Sequence, residues 1–195
     1  MSAALIFLLA ASPEAHALAA KVAQVTLQPE RVLADSLAQY DRKFEEGVAR
    51  GAAGRTMTPV QIAKKDRAKA AGKVEMASQL RTVGIPRFLR LIEGEYEQNF
   101  SEGELREASA FWTSSAGQSL VIAMQDAFKN GTGRVTPPAQ HSAAISRYMA
   151  SAVGRKESAR SALMRTALVR EMSSFMQEIL PKIDARTRAA MAAAS

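Results

Sequence analysis

The sequence predicts an all-α fold, a compact helical bundle of about six to eight helices containing a duplicated helix-turn-helix hairpin. Three observations carry that expectation. Apolar residues recur at three- and four-residue spacing in one segment after another, and alternating runs of strand type are hard to find. Strong helix-start signals punctuate the chain. A stretch near the middle is echoed further on at a constant offset of 37 residues. The 195 residues suffice for one domain with a real core, and 47% hydrophobic with 23% charged residues is ordinary for a globular chain.

Residues 1–17 read as a signal peptide. Ala3 to Ala11 is an apolar run, and Ala15-His16-Ala17 is a small-x-small cleavage pattern. The run is too short to span a membrane, and no Lys or Arg precedes it. The expected organisation is that leader, a single all-helical domain over 18–180, and a basic, alanine-rich helical tail over 181–195. The localisation this implies is periplasmic or secreted, with the cytoplasm as the alternative.

The helices follow in order. Leu18 to Val25 forms a short first one. Pro29 suits a helix N1 position, and Leu33, Leu37, Tyr40, Phe44 and Val48 share one face. Gly51 to Gly54 ends that helix. Thr58-Pro59-Val60-Gln61 restarts it with a cap, a proline at N1 and a capping-box glutamine. The next stretch is basic: seven Lys/Arg lie between Arg50 and Lys73, and they are expected to lean on the six glutamates between Glu93 and Glu107. Gly84-Ile85-Pro86 predicts a break. Phe88, Leu89, Ile92 and Tyr96 then make a short amphipathic helix.

Phe100 to Phe128 is the most structured reading. Ser101 is a good N-cap and Glu104 completes its capping box, with Phe100 and Leu105 placed as a hydrophobic staple. Leu105, Ala108, Phe111 and Trp112 continue the helix. Ser114 caps a second one, with Gly117 in its first turn and Leu120, Met124 and Phe128 on its apolar line. After a loop at Asn130 to Gly133, Thr136-Pro137 starts another helix. Its end sets Tyr148, Ser151 and Gly154 over Phe111, Ser114 and Gly117, with Ile145 over Ala108. The last long helix runs from about Ala152 to Leu180, with Met164, Leu168, Met172, Phe175 and Ile179 as its stripe, and Pro181 kinks or ends it.

The start Phe100-Ser101-x-x-Glu104-Leu105, the pair Phe111-Trp112, then Ser114-x-x-Gly117 and Leu120, resembles a family of exported bacterial proteins catalogued as domain of unknown function 2059. Ser115 stands where that family often has proline, and Trp112 where it often has tyrosine. The clear match covers about 30 residues. The resemblance implies an all-α domain, periplasmic in a Gram-negative cell, and it implies no activity.

The chemistry on offer is sparse. With no cysteine, disulfides, thiol catalysis and cysteine-ligated metals are excluded. His16 and His141 are the only histidines. Ser114 and Ser151 are the tempting nucleophiles, but one histidine cannot serve both, no Gly-x-Ser-x-Gly elbow is present, and capping explains each. No His-Glu-x-x-His pattern or phosphate loop occurs, so neither a metal nor a cofactor is expected. The clustered glutamates read as an exposed acidic face rather than a glycosidase pair.

Charge is uneven. The formal net charge is +7, of which residues 1–130 hold +1 and residues 131–195 hold +6. The leading expectation is a non-enzymatic envelope protein that works through contacts with a protein partner, around the two hairpin joins. The alternative is a peripheral binder of anionic lipid or a polyanion through Arg155, Lys156, Arg160 and Arg165 with the tail. A cytoplasmic nucleic-acid binder comes third: it requires that residues 1–17 are not a signal peptide, and a basic helix without interleaved aromatics is a weak signal for it.

Overall fold

The computed structural model describes residues 12–52, 56–131 and 135–193. Among them are eight α-helices, one π-helical turn, one 3-10 turn and no strand. The all-α expectation holds. The helices are α1 (Pro13–Leu27), α2 (Pro29–Ala52), α3 (Pro59–Gln79), α4 (Ile85–Asn99), α5 (Glu102–Thr113), α6 (Ser115–Lys129), α7 (Ser142–Met149) and α8 (Ala152–Ala192). The chain divides into two compact units. The first comprises the described residues up to Thr26 with Leu89–Arg165; the second comprises Leu27–Phe88 with the described residues from Thr166 onward. The expected boundaries at 17/18 and 180/181 do not coincide with breaks, since α1 runs through the first and α8 through the second.

In the first unit, α1 begins five residues before the expected Leu18. Ser12 Oγ accepts from the Ala15 N–H at 3.0 Å, which is an N-cap, and donates to Glu102 Oε2 at 2.7 Å. Ala15, Ala19, Val22 and Ala23 are buried, Glu14 pairs with Arg106, and His16 pairs with Glu97. The Ala15-His16-Ala17 triplet is thus a working turn of a packed helix; the rest of the expected leader, residues 1–11, lies outside the described residues. α6 packs on both α5 and α7. Its buried side is Ala116, Leu120, Val121 and Ala127, while Met124, expected on the apolar line, is exposed. The Phe128 side chain lies outside the described set. The helix expected to start at Thr136-Pro137 forms later, through a 3-10 turn at Ala139–His141, because a residue before proline is steered away from helical geometry.

In the second unit, α2 packs on α3. The α3 cap is built as the sequence predicts, with Thr58 Oγ1 accepting from Gln61 N at 3.3 Å and the Gln61 side chain returning to the Thr58 N–H at 2.9 Å. The basic stretch of α3 does not lean on Glu93 to Glu107. Lys65 and Lys69 reach Glu45, and Lys73 reaches Asp41 at 2.6 Å, all on α2. No break occurs at Gly84-Ile85-Pro86 either. Leu80–Gly84 forms a π turn, the Ile85 N–H donates to Leu80 O, and the chain runs on into α4. A wider turn here absorbs what Pro86 imposes, a missing N–H and a ring that crowds the carbonyl one turn back. Gly84 lies under the Phe175 ring: a Cβ there would stand 2.8 Å from Phe175 Cζ. Phe175 is fully buried and meets Phe88 edge-on at 5.8 Å. Pro181 does not end α8; the helix continues to Ala192 and buries Ile183 beyond the proline.

Candidate functional site

The best-defined cluster lies wholly in the first unit, and it starts from local chemistry. Ser101 has extended geometry (φ −68°, ψ 161°) and forms the full capping box with Glu104. The Ser101 N–H donates to Glu104 Oε2 at 2.7 Å, and Ser101 Oγ accepts from the Glu104 N–H at 3.3 Å. Lys156 on α8 donates to both Glu104 oxygens at 2.8 Å and stands over the Phe100 ring at 4.8 Å. The ammonium holds the Glu104 carboxyl below the usual carboxylate range. Leu105 and Ala108 are fully buried on the next turn.

The two joins are built alike. At the first, the Ser114 N–H donates to Phe111 O at 2.9 Å and Ser114 Oγ accepts from the Gly117 N–H at 3.1 Å. At the second, the Ser151 N–H donates to Tyr148 O at 2.9 Å and Ser151 Oγ accepts from the Gly154 N–H at 3.1 Å. Gln118 reaches back to Thr113 O, and Arg155, 37 positions on, reaches back to Ala150 O. Both glycines are required by the same close approach. A Cβ on Gly117 would stand 2.2 Å from Phe111 O, and one on Gly154 would stand 2.1 Å from Tyr148 O. Both serine hydroxyls therefore serve as caps. The equivalent rings touch each other: Phe111 and Tyr148 stack with centroids 3.7 Å apart and planes 6° from parallel.

One residue unites these pieces, and sequence reasoning passed over it. Glu157 Oε1 accepts from Tyr96 Oη at 2.7 Å and from Trp112 Nε1 at 2.9 Å. Glu157 Oε2 is sealed from solvent and has no hydrogen-bond partner; neither has the buried Tyr148 hydroxyl that faces the carboxyl. Burial pushes the Glu157 pKa up against the lowering pull of Trp112, Tyr96 and Tyr148, and the Glu107 charge pushes it the same way. Burial and the Glu157 charge raise both tyrosines as well. The arrangement is a carboxyl held by donors from α4 and α5 and facing α7, with no cation bonded to it. A signal was present in the sequence. Glu157 stands 37 residues after Leu120, so the echo continues one turn past Gly154 and there exchanges a buried leucine for an acid.

The other expected residues fall as follows. Trp112 and Tyr148 are buried, so the joins do not present these rings as a surface. Among the candidate anion-binding cations, Arg155 is bonded to Ala150 O, Lys156 to Glu104 and Arg160 to Glu95, while Arg165 is exposed. The glutamates of 93–107 are spread over several partners, including His16, Arg106, Lys156 and Arg160. In the second unit a shallow, open depression is lined by Asp41, Arg42, Glu45, Glu46 and Lys69. Among the described residues no group of three or more His, Asp or Glu is placed to hold a metal, and no helix is long and apolar enough to cross a membrane.

Residues 86–144 match the model of a family described as "uncharacterized protein conserved in bacteria (DUF2059)", the family that the Phe100 to Leu120 motif resembles. The matched segment holds Tyr96, the α5 capping box, Trp112 and the first join; the second join and Glu157 lie beyond it. No curated protein and no solved structure matches the chain.

Proposed function

We propose that this is a non-enzymatic helical protein of the bacterial cell envelope that acts by contacting another protein. The observation that supports it is one side of α8 within the second unit. Val169 (51% exposed) and Leu180 (48%) are large apolar side chains left in water at positions that share a helix face, with the exposed Met172 beside them. An apolar strip on a helix face is a means of protein recognition. The two joins, with their rings buried, are the weaker surface. A photoreactive residue at Val169 or Leu180 tests the reading in envelope extracts. Crosslinks that form there, and not from the exposed polar position Arg165, support it; equal crosslinking from all three sites removes it.

The envelope placement rests on the apolar run before Ala11 and on the family resemblance. Processing after Ala17 would delete Ser12, Glu14 and His16 together with their contacts to Glu102, Arg106 and Glu97. The mass of the mature N-terminus in fractionated cells decides between a chain that starts at Leu18 and one that keeps the first turn of α1. A second reading, binding to an anionic surface, keeps one support: Arg165, Arg170, Arg186 and Arg188 are exposed on α8. Co-sedimentation with anionic vesicles that fades at high salt would favour it, and indifference to both lipid charge and salt would end it.

A further inference from the structure

We propose that Asn130-Gly131 is a site of self-modification, at which the Gly131 amide nitrogen closes on the Asn130 side chain and turns the asparagine into a mixture of aspartate and isoaspartate. The chain holds two asparagines, Asn99 and Asn130, and the fold treats them in opposite ways. Both stand at the end of a helix. Asn99 is the last residue of α4, and it is locked in place. Its Nδ2 donates to Glu95 O at 2.8 Å, and the N–H of the next residue, Phe100, donates to Tyr96 O at 2.9 Å. Phe100 is itself buried. Asn130 follows Lys129, the last residue of α6. Its own N–H donates to Asp126 O at 2.9 Å, which fixes the chain up to that point. Beyond it the chain is open. Asn130 and Gly131 are both exposed, and among the described residues nothing accepts from the Gly131 N–H. Gly131 has φ +64°, the left-handed conformation that commonly ends helices, and a Cβ on it would meet no other described residue within 4 Å.

The chemistry follows from that difference. The Gly131 nitrogen, giving up its proton to base, attacks Asn130 Cγ. A C–N bond forms, the Cγ–Nδ2 bond breaks, and Nδ2 takes up a proton and leaves as ammonia. The product is a succinimide ring. Water then adds to either ring carbonyl and reopens it. Addition at Cγ gives aspartate; addition at the Asn130 main-chain carbonyl gives isoaspartate, in which the backbone runs through the former side chain. Glycine obstructs the attack least, because it has no Cβ beside the nitrogen. At Asn99 the side chain and the following amide must both be freed before a ring can close.

The product alters its surroundings. The new carboxylate stands at the C-terminus of α6 beside Lys129, where the helix dipole disfavours negative charge. Isoaspartate adds a methylene to the main chain between α6 and the 3-10 turn at Ala139–His141, two elements that pack on each other. Each conversion also lowers the formal net charge of +7 by one. Asn130 thereby records the age of the folded molecule, and it does so whichever partner the protein has.

The test incubates the purified full chain at neutral and mildly alkaline pH, folded and in guanidinium chloride. Both asparagines are followed by mass mapping of peptides, and isoaspartate is counted with an isoaspartyl methyltransferase and a labelled methyl donor. In the folded chain Asn130 is expected to convert at least about ten-fold faster than Asn99, which must first give up its hydrogen bonds. Its folded rate should lie within about three-fold of its rate in denaturant, because nothing around it has to open first. Isoaspartate should accompany aspartate, and Asn130→Gln, whose larger ring closes far more slowly, should remove the methyl-accepting product. Protection of Asn130 by about ten-fold or more in the folded chain, or equal conversion at the two asparagines, overturns the proposal. So does aspartate without isoaspartate, which is direct hydrolysis of the amide, and so does methyl acceptance that is unchanged in Asn130→Gln.

Discussion

The first join and the second are the same device carrying different cargo. Each has a serine whose hydroxyl caps the next helix, a glycine whose missing Cβ admits the carbonyl six residues back, and a ring that stacks on its counterpart in the other join. Two of the positions at which they differ matter most to the packing. Trp112, buried, corresponds to Met149, 39% exposed. Leu120, buried, corresponds to Glu157, which takes hydrogen bonds from the first join's Trp112 and from Tyr96. The shared residues are those that backbone geometry demands. The differing ones give the second join a buried acid tied to the first join's indole, where the first join has a leucine.

The largest effect that tests this likeness is at the glycines. Gly117→Ala and Gly154→Ala each force a Cβ into a main-chain oxygen at close to 2 Å. Each should cost about 3 kcal/mol or more in urea unfolding, by similar amounts. A loss confined to one site would break the comparison. Next comes the exchange of cargo. Leu120→Glu places a carboxyl in the first join without the donors that Glu157 has and should cost about 3 kcal/mol near neutral pH. Glu157→Leu strands the Tyr96 hydroxyl and the Trp112 N–H but gains apolar burial, and should cost about 1–2 kcal/mol with a flatter dependence on pH. If Leu120→Glu proves the milder of the two, the joins differ less than their partners suggest. Ser114→Ala and Ser151→Ala should each cost about 1 kcal/mol, as lost N-caps do, with CD helicity falling only slightly. The smallest effect is at Lys156, whose ammonium is partly exposed. Lys156→Met should lose under about 1 kcal/mol, and the loss should shrink further as salt is added.

What could be read in the chain beforehand is what a few neighbouring residues decide among themselves. The caps at Thr58, Ser101, Ser114 and Ser151 are such cases, because each is a bargain between a side chain and an amide two or three residues away. Partners drawn from a distance were not legible. The lysines of α3 found Asp41 and Glu45 on α2 rather than the denser acids downstream, since helix pairing brought the former within reach. Helix ends inferred from proline failed for a related reason. Local preference at Pro86 and Pro181 is real, but a π turn accommodates the first, and α8 runs on past the second to bury Ile183. Glu157 was missed because the echo was followed only as far as Arg155, and because an acid on a helix reads as a solvated face until its tyrosine and tryptophan partners are in place.

The second unit is written in two separated stretches of chain, and that has a consequence for how the protein is made. Synthesis on the ribosome completes the first unit when Arg165 emerges, with Tyr96, Trp112, Tyr148 and Glu157 all already present. Phe175, which seals Gly84 and Phe88, is among the last residues to appear. Until then the nascent chain carries Gly84 and Phe88 without the ring that covers them. The interval before the C-terminal end of α8 is released is thus one in which the second unit lacks part of its own core, the condition under which a partly made chain is prone to aggregate.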